Sequence, residues 1–516
     1  MVRRIAGAEL LSALLSTDRQ LAVLDLRAPA ERAGGHIAVG AGIPLHDLEQ
    51  RVGRLVPNPG TAIVLAGRPD VDERGAALLE ALGYRDVAVL DNGIDGWKSA
   101  GGRVYTGTNV RSKTLGEWIE HTYATPTVAA DTVAAWQAAG ERVVILDTRT
   151  PAEYLHHHIP GGFNTGGGAE VTYRAHQVID DPATKVVINC QGRTRGIVGA
   201  QSLINTGIAN PVFSLQNGTP AWEWAGQPLE YGAGTDVPAP DEVPAETLAW
   251  ARRTLAGAGA TILAAAAAQR HLDDAASTTY LLDVRSPGEF ATAHYAAAIS
   301  TPGGQLVQAT DDFVAVRNAR LVLVDTADLV RAANTVQWLQ FLHRGPLAVV
   351  VFDPAADLVR AEQVTPAPAA GRRVTWNTLV QWRADGPVEL VDVRSSARYA
   401  AGHVPGSVHA RREHLDELAA GAGRVVLIGD NEFAAEHLAD PRIGDVWVLD
   451  GGIAAAQEEL VTDDARYAGE IVDRTGPPDF GPERDAWYAE YFDWELALLE
   501  ESAGDPFFDF TAVSAT

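Results

Sequence analysis

Val186-Val187-Ile188-Asn189-Cys190-Gln191-Gly192-Arg193-Thr194-Arg195-Gly196 is an apolar run that ends in a cysteine and turns into a loop rich in glycine and arginine. Cys190 is the only cysteine among 516 residues. A single thiol forms no internal disulfide and is a candidate nucleophile. The competing reading is a small buried hydrophobe, the usual fate of a free cysteine. Residues 196–205, directly after the loop, have helix length, so the loop joins a strand end to a helix start.

Working outward, the same kind of strand recurs. An apolar run followed by Asp-x-Arg occurs at Asp25-Leu26-Arg27, Asp147-Thr148-Arg149, Asp283-Val284-Arg285 and Asp392-Val393-Arg394. Eleven residues beyond each Asp stands a histidine: His36, His158, His294 and His403. A second apolar run follows in every copy, at 62–65, 186–189, 321–324 and 425–428, and a third with a Gly turn follows in all but the third copy. Short apolar strands alternating with helical segments predict α/β domains, each a mostly parallel sheet flanked by helices. The expected organisation is a domain at 1–105, a linker with a short helix at 106–126, domains at 127–232, 244–354 and 371–462, and an acidic aromatic tail at 463–516. Pro- and Gly-rich joints, including Pro366-Ala367-Pro368, separate them.

Lys+Arg 41 against Asp+Glu 67 leaves a net charge of -26, which disfavours nucleic acid and anionic membrane surfaces as partners. Glu9 interrupts the first apolar run and no stretch reaches the length of a membrane span, so a cytoplasmic, soluble protein is expected.

The repeats resemble rhodanese domains. The resemblance rests on the Asp-x-Arg strand end, on Gly402-His403-Val404-Pro405-Gly406 and His157-His158-Ile159-Pro160-Gly161, and on the Gly-x-x-x-Trp endings from Gly93 to Trp97 and Gly218 to Trp222. In that family the catalytic cysteine ends a strand and opens a six-residue loop, the position of Cys190. Strand alignment puts Ala66, Asp325 and approximately Gly429 there in the other copies, so the resemblance implies one catalytic domain and three without a thiol.

It implies a sulfurtransferase that moves sulfane sulfur from a small anionic donor (thiosulfate, mercaptopyruvate or persulfide type) through a Cys190 persulfide to a thiol, cyanide or protein acceptor. No metal or organic cofactor is implied. The rival readings are a non-enzymatic sulfur carrier or interaction scaffold and a phosphatase of related fold. Phosphatase loops are one residue longer than the one ending in Arg195.

Backbone N–H groups of such a loop and the following helix dipole favour a thiolate. Gln191, Gly192, Arg193, Thr194 and Arg195 form the expected substrate-binding loop, with the two arginines as anion binders. Glu153 stands where tandem thiosulfate-type enzymes tend to carry a substrate-binding arginine. Arg174, His176, Lys113 and His121 are further pocket candidates. The repeated histidines and Asp-x-Arg pairs, present also where no thiol is, are read as framework. A first repeat shielding the Cys190 loop, a third paired with a fourth, and a tail helix around 485–501 docked on the last domain complete the expectations. A partner-binding role for that helix is the alternative.

Overall fold

Each Asp-x-Arg strand lies inside a parallel sheet with its neighbours buried on both faces, which is why these runs are continuously apolar rather than alternating. The computed structural model describes residues 2–17, 19–360, 372–419, 423–439, 444–478 and 481–511. The joint Pro366-Ala367-Pro368 lies outside the described residues. Four sheets are present among the described residues, and within each the repeat's own strands pair in one spatial order. In the second repeat that order is Thr127–Val128, Val212–Leu215, Lys185–Asn189, Val143–Asp147, Phe163–Asn164. Helices cover the sheets, so the structure has the α/β architecture the sequence predicts, and the third repeat keeps it despite its weaker sequence pattern.

The Asp-x-Arg pair does the same work four times. Arg149 holds Asp147 through Nη2 at 2.7 Å and donates to the His157 carbonyl at 2.6 Å. Arg27, Arg285 and Arg394 likewise reach the carbonyls of Gly35, Ala293 and Gly402. The histidine that follows is fixed as well. His158 Nδ1 lies 3.0 Å from the Tyr154 carbonyl and its ring stacks on Tyr154, an arrangement repeated by His403 on Tyr399 and His294 on Phe290. These residues tie each strand end to the turn behind it.

Strand register corrects one assignment. Asp147 pairs with Asn189, Asp283 with Val324 and Asp392 with Ile428, so the next residues, Cys190, Asp325 and Gly429, are equivalent. In the first sheet Leu24 pairs with Leu65, which sets Asp25 opposite Ala66 and makes Gly67 the counterpart of Cys190. The amide of Ile94 donates to the Gly67 carbonyl just as Thr219 does to Cys190 and Ile453 to Gly429. Ala66 directly follows the strand Ala62–Leu65, its amide still donating to the Leu24 carbonyl; it extends the apolar run by one residue, and apolarity alone does not mark where a strand stops.

The repeats are wired differently from the expected pairs. A short strand of the third repeat, Val316–Arg317, joins the first sheet antiparallel to Leu21 and Ala22. The third repeat also grips the second, through Arg331 to Glu170 and Trp338 to Ser202. The fourth docks on the first through Arg412 to Glu49 and to the ring of His46. Among the described residues, the helix Val110–Tyr123 between the first two repeats packs on Thr194–Asn205, and the C-terminal helix Pro482–Glu501 packs on Val110–Tyr123. No described helix is long and apolar enough to cross a membrane.

Candidate active site

Cys190 follows the strand Lys185–Asn189, and the helix Thr194–Asn205 starts within its loop. Its Sγ accepts the Gly192 amide at 3.4 Å and the Gly196 amide at 3.2 Å. The loop closes over Gly218, whose φ of +57° and whose position leave no room for a side chain: a Cβ there would lie 2.3 Å from the Cys190 carbonyl oxygen. This is the physical content of the Gly-x-x-x-Trp signature. The thiol is 2 % exposed. Burial pushes its pKa up, while Arg195 and the two loop amides pull it down and Glu495 adds to the rise.

The other loop residues have distinct tasks. Gln191 Oε1 accepts from Arg149 at 2.7 Å, and its Nε2 donates to the Tyr488 hydroxyl at 2.8 Å, linking the framework pair to the C-terminal helix. Gly192 brings the backbone under Tyr491 and Phe492; a Cβ there would sit 3.6 Å from the Tyr491 ring. Arg193 does not offer a free charge. It is clamped at 2.8 Å by each oxygen of Glu117, with Glu120 at 2.5 Å, both on the helix Val110–Tyr123. The expected role of Arg193 as an anion binder is therefore replaced by a role in holding that helix to the loop. Thr194 donates to the buried Glu495 at 2.5 Å.

Arg195 faces the thiol but is paired with Glu153 at 2.7 and 2.9 Å. Burial works upward on Glu153, but Arg195 and Thr150 overcome it and bring its pKa down to about 2. The same place carries an ion pair in every repeat: Glu31 with Arg68, Glu289 with Arg331, and, with polarity reversed, Arg398 with Asp430. Glu153 is thus a recurrent brace for the loop. In the third repeat Asp325 fills its own loop, accepting from Arg331 at 3.0 Å and from the Ala332 amide at 2.8 Å.

A cavity of about 370 Å³ opens over Cys190 and the loop. Its other walls are Thr108, Asn109 and Lys113 of the inter-repeat segment, Glu153, Gln308 of the third repeat, Thr475, Gly476 and Pro477, and Trp487, Tyr488 and Tyr491 of the C-terminal helix. Among the described residues no side chain of 1–105 lines it, so the inter-repeat helix and the tail supply the shield expected from the first repeat. The tail helix docks over the second repeat rather than on the last domain, anchored by Arg484 to Glu223 at 2.7 Å.

Lys113 is the one pocket candidate outside the loop that reaches the cavity. Its Nζ lies 4.7 Å from the ring centres of both Tyr491 and Trp494. Burial lowers its pKa to about 8 against the pull of Glu495, with Arg195 adding to the fall. Glu495 is raised by burial despite Lys113. The remaining candidates lie elsewhere. Arg174 is spent on Glu170 and the Val237 carbonyl, His176 lies by the Glu242 carbonyl, and His121 is exposed on the last turn of its helix.

Sequence reasoning missed Glu495, Tyr491, Tyr488 and Trp487. The broad aromatic face of residues 485–501 was the available signal, and it told that the helix docks without telling where.

Comparison with known proteins gives three stretches, residues 7–100, 129–225 and 375–459, that match the Rhodanese-like domain. A search of curated proteins gives no significant match. Among solved structures, a thiosulfate sulfurtransferase from Pseudomonas aeruginosa is 35% identical and superposes with a TM-score of 0.92, covering 98% of this chain and 99% of that one. The Alr3790 protein from Anabaena sp. is 25% identical over 19% of this chain and 78% of its own, with a TM-score of 0.19. A protein from Lactobacillus plantarum is 26% identical over 22% of this chain and 92% of its own, also at 0.19. Sequence and fold together make this chain a member of the rhodanese family.

Proposed function

We propose that the protein is a sulfurtransferase whose nucleophile is Cys190. The Cys190 thiolate attacks the outer sulfur of a small anionic donor such as thiosulfate. A bond forms between Sγ and that sulfur, the donor's S–S bond breaks, and sulfite leaves with the bonding pair: Cys–S⁻ plus S–SO₃²⁻ gives Cys–S–S⁻ plus SO₃²⁻. A thiol, cyanide or protein acceptor then takes the outer sulfur and regenerates the thiolate.

The observation that carries this reading is the setting of the lone thiol. It is aimed at by two loop amides, flanked by Arg195 and Lys113, and opens into a cavity. Because burial opposes the thiolate, the fixed dipoles and the cations matter most once negative charge is placed on the terminal sulfur. Arg195 is paired with Glu153, so Lys113, set over the Tyr491 and Trp494 rings with Glu495 as its neighbouring carboxylate, adds attraction for a donor anion. The likeness to a thiosulfate sulfurtransferase supports the same class of chemistry.

Intact-mass measurement after exposure to thiosulfate tests it. The wild type is expected to gain about 32 Da, one sulfur atom, on its nucleophilic thiol, and Cys190→Ala to gain nothing. An adduct that persists in the variant rejects the proposal.

A further inference from the structure

A second cavity, of about 270 Å³, lies on the far side of Lys113 and Tyr491 from the Cys190 loop. The two cavities adjoin, sharing Thr108, Lys113, Thr475, Trp487 and Tyr491 in their linings. Beyond those residues the walls are Ala33 and Thr106 with Trp494 and Glu490. Trp487 stacks on Tyr491 with ring centres 5.0 Å apart and planes 11° apart, and Trp494 tilts on Tyr491 at 5.6 Å. The chamber is thus a flat aromatic wall with one ammonium, Lys113, on the side shared with the Cys190 cavity and one carboxylate, the exposed Glu490, on its outer side.

We propose that this chamber is the acceptor subsite, and that it takes a small thiol with a planar or apolar body and a carboxylate. The inference rests on the sulfurtransferase reading above. Sulfur transfer through one thiol needs two substrates in turn, and the donor's anion and the acceptor's body need different walls. The loop side offers amides and cations suited to a compact anion. The far side offers rings against which an organic body packs, with Lys113 placed to meet a carboxylate or an ionised thiol from either side.

In the acceptor step the thiolate sulfur bonds to the outer sulfur of the Cys190 persulfide and the Sγ–S bond breaks. The acceptor's thiol proton passes to the outer sulfur, so that R–SH plus Cys–S–S⁻ gives R–S–SH plus Cys–S⁻, with no oxidant or reductant required. Cyanide, which has no body to seat, uses the loop side alone.

The two half-reactions separate the subsites. Thr106→Trp fills the chamber from an exposed position of the first repeat's end, away from the thiol and the loop. Cys190 is loaded with thiosulfate and then discharged in single turnovers with either cyanide or 4-mercaptobenzoate, followed by intact mass. Loading and cyanide discharge are expected to stay within about twofold of wild type, while discharge by 4-mercaptobenzoate slows about tenfold or more, the scale on which a blocked pocket discriminates. Ala33→Leu, a smaller filling of the same chamber, is expected to act in the same direction.

Equal rates with 4-mercaptobenzoate in wild type and both variants, or equal slowing with cyanide, overturn the subsite. Failure of the wild type to load sulfur at all overturns the sulfurtransferase reading instead.

Discussion

Lys113 and Arg193 are both buried cations lining the cavity over the thiol loop, yet their surroundings give them opposite duties. Lys113 faces rings and Glu495 and titrates at about 8. A lowered pKa means that its charge is present below about 8 and lost above, so attraction for an anionic donor fades as the pH rises through that value. KM for thiosulfate is expected to climb between pH 7.5 and 9.5 in the wild type. In Lys113→Met it is expected to be about tenfold higher at pH 7, the scale of a lost charge-assisted contact, and flat over that range. Steady-state kinetics across the range decide it, and a flat wild-type profile contradicts the role. Arg193 is held by two carboxylates in a setting where Arg193 and Glu117 are each 6 % exposed. Arg193→Leu leaves the Glu117 carboxylate buried and unpaired, which is expected to cost about 3–5 kcal/mol, read as a drop in denaturation midpoint.

At the scale of elements, the strand-loop-helix around Cys190 was legible because its signals are local: an apolar run, a turn glycine and a helix start fall within a dozen residues. The slip between Ala66 and Gly67 came from the same source, since an apolar run gives a strand without its end. The roof was not legible. Pro482–Glu501 shows aromatic residues on a broad arc, but a hydrophobic face encodes docking and not the surface docked upon, and Gln191 meets Tyr488 across 297 residues of sequence. Phe492, 4 % exposed and set edge-on to Trp224, helps seat this helix. Phe492→Ala is expected to remove about 3–5 kcal/mol of packing and release the helix ahead of the rest of the fold. Alkylation of Cys190 by iodoacetamide then speeds up while the main melting transition moves little; an unchanged alkylation rate argues against the helix as the cover. Gly218→Ala forces a Cβ to 2.3 Å from the Cys190 carbonyl at positive φ, and sulfur loading is expected to be lost in a chain that still folds elsewhere.

For the whole molecule, the four copies were readable from one sequence because Asp, Arg and His recur at fixed offsets and do framework work in each. Their mutual arrangement was not, since it depends on contacts such as Thr61 with Thr278 and Arg412 with His46 that leave no periodic trace. His46 accepts the Arg412 amide on Nδ1 at 3.0 Å and lies with Nε2 3.1 Å from the Val393 carbonyl, so a second ring proton removes an acceptor at the joint of the first and fourth repeats. Burial first, then neighbouring cations, keeps its pKa well below 6.5. Burial also holds His36, His157 and His343 down, at about 3, about 4 and about 4. The unfolded chain protonates all of these near 6.5. Below that pH it binds more protons than the fold, so stability falls as the pH drops toward 4. Asp72 and Asp325, raised by burial to about 7 and about 6, oppose this by taking protons in the folded state, as do Glu120, Asp311, Asp312 and Glu495, but these six are fewer than the eight histidines held down, which also include His176, His271, His409 and His437. A lower melting temperature at pH 5 than at pH 7 is expected. Hydrogen exchange is expected to rise first along the His46 face, and protection there that is unchanged at pH 5 rejects the assignment.

The cover over Cys190 also fixes when the protein becomes competent. Thr475, Trp487, Tyr488 and Tyr491 are translated long after the thiol loop, Tyr488 following Gln191 by 297 residues. A nascent chain therefore carries an open, uncapped thiol until those residues are made. The finished pocket exists only after the helix Pro482–Glu501 has left the exit tunnel and folded back across some 300 residues, the separation between Thr194 and Glu495 being 301.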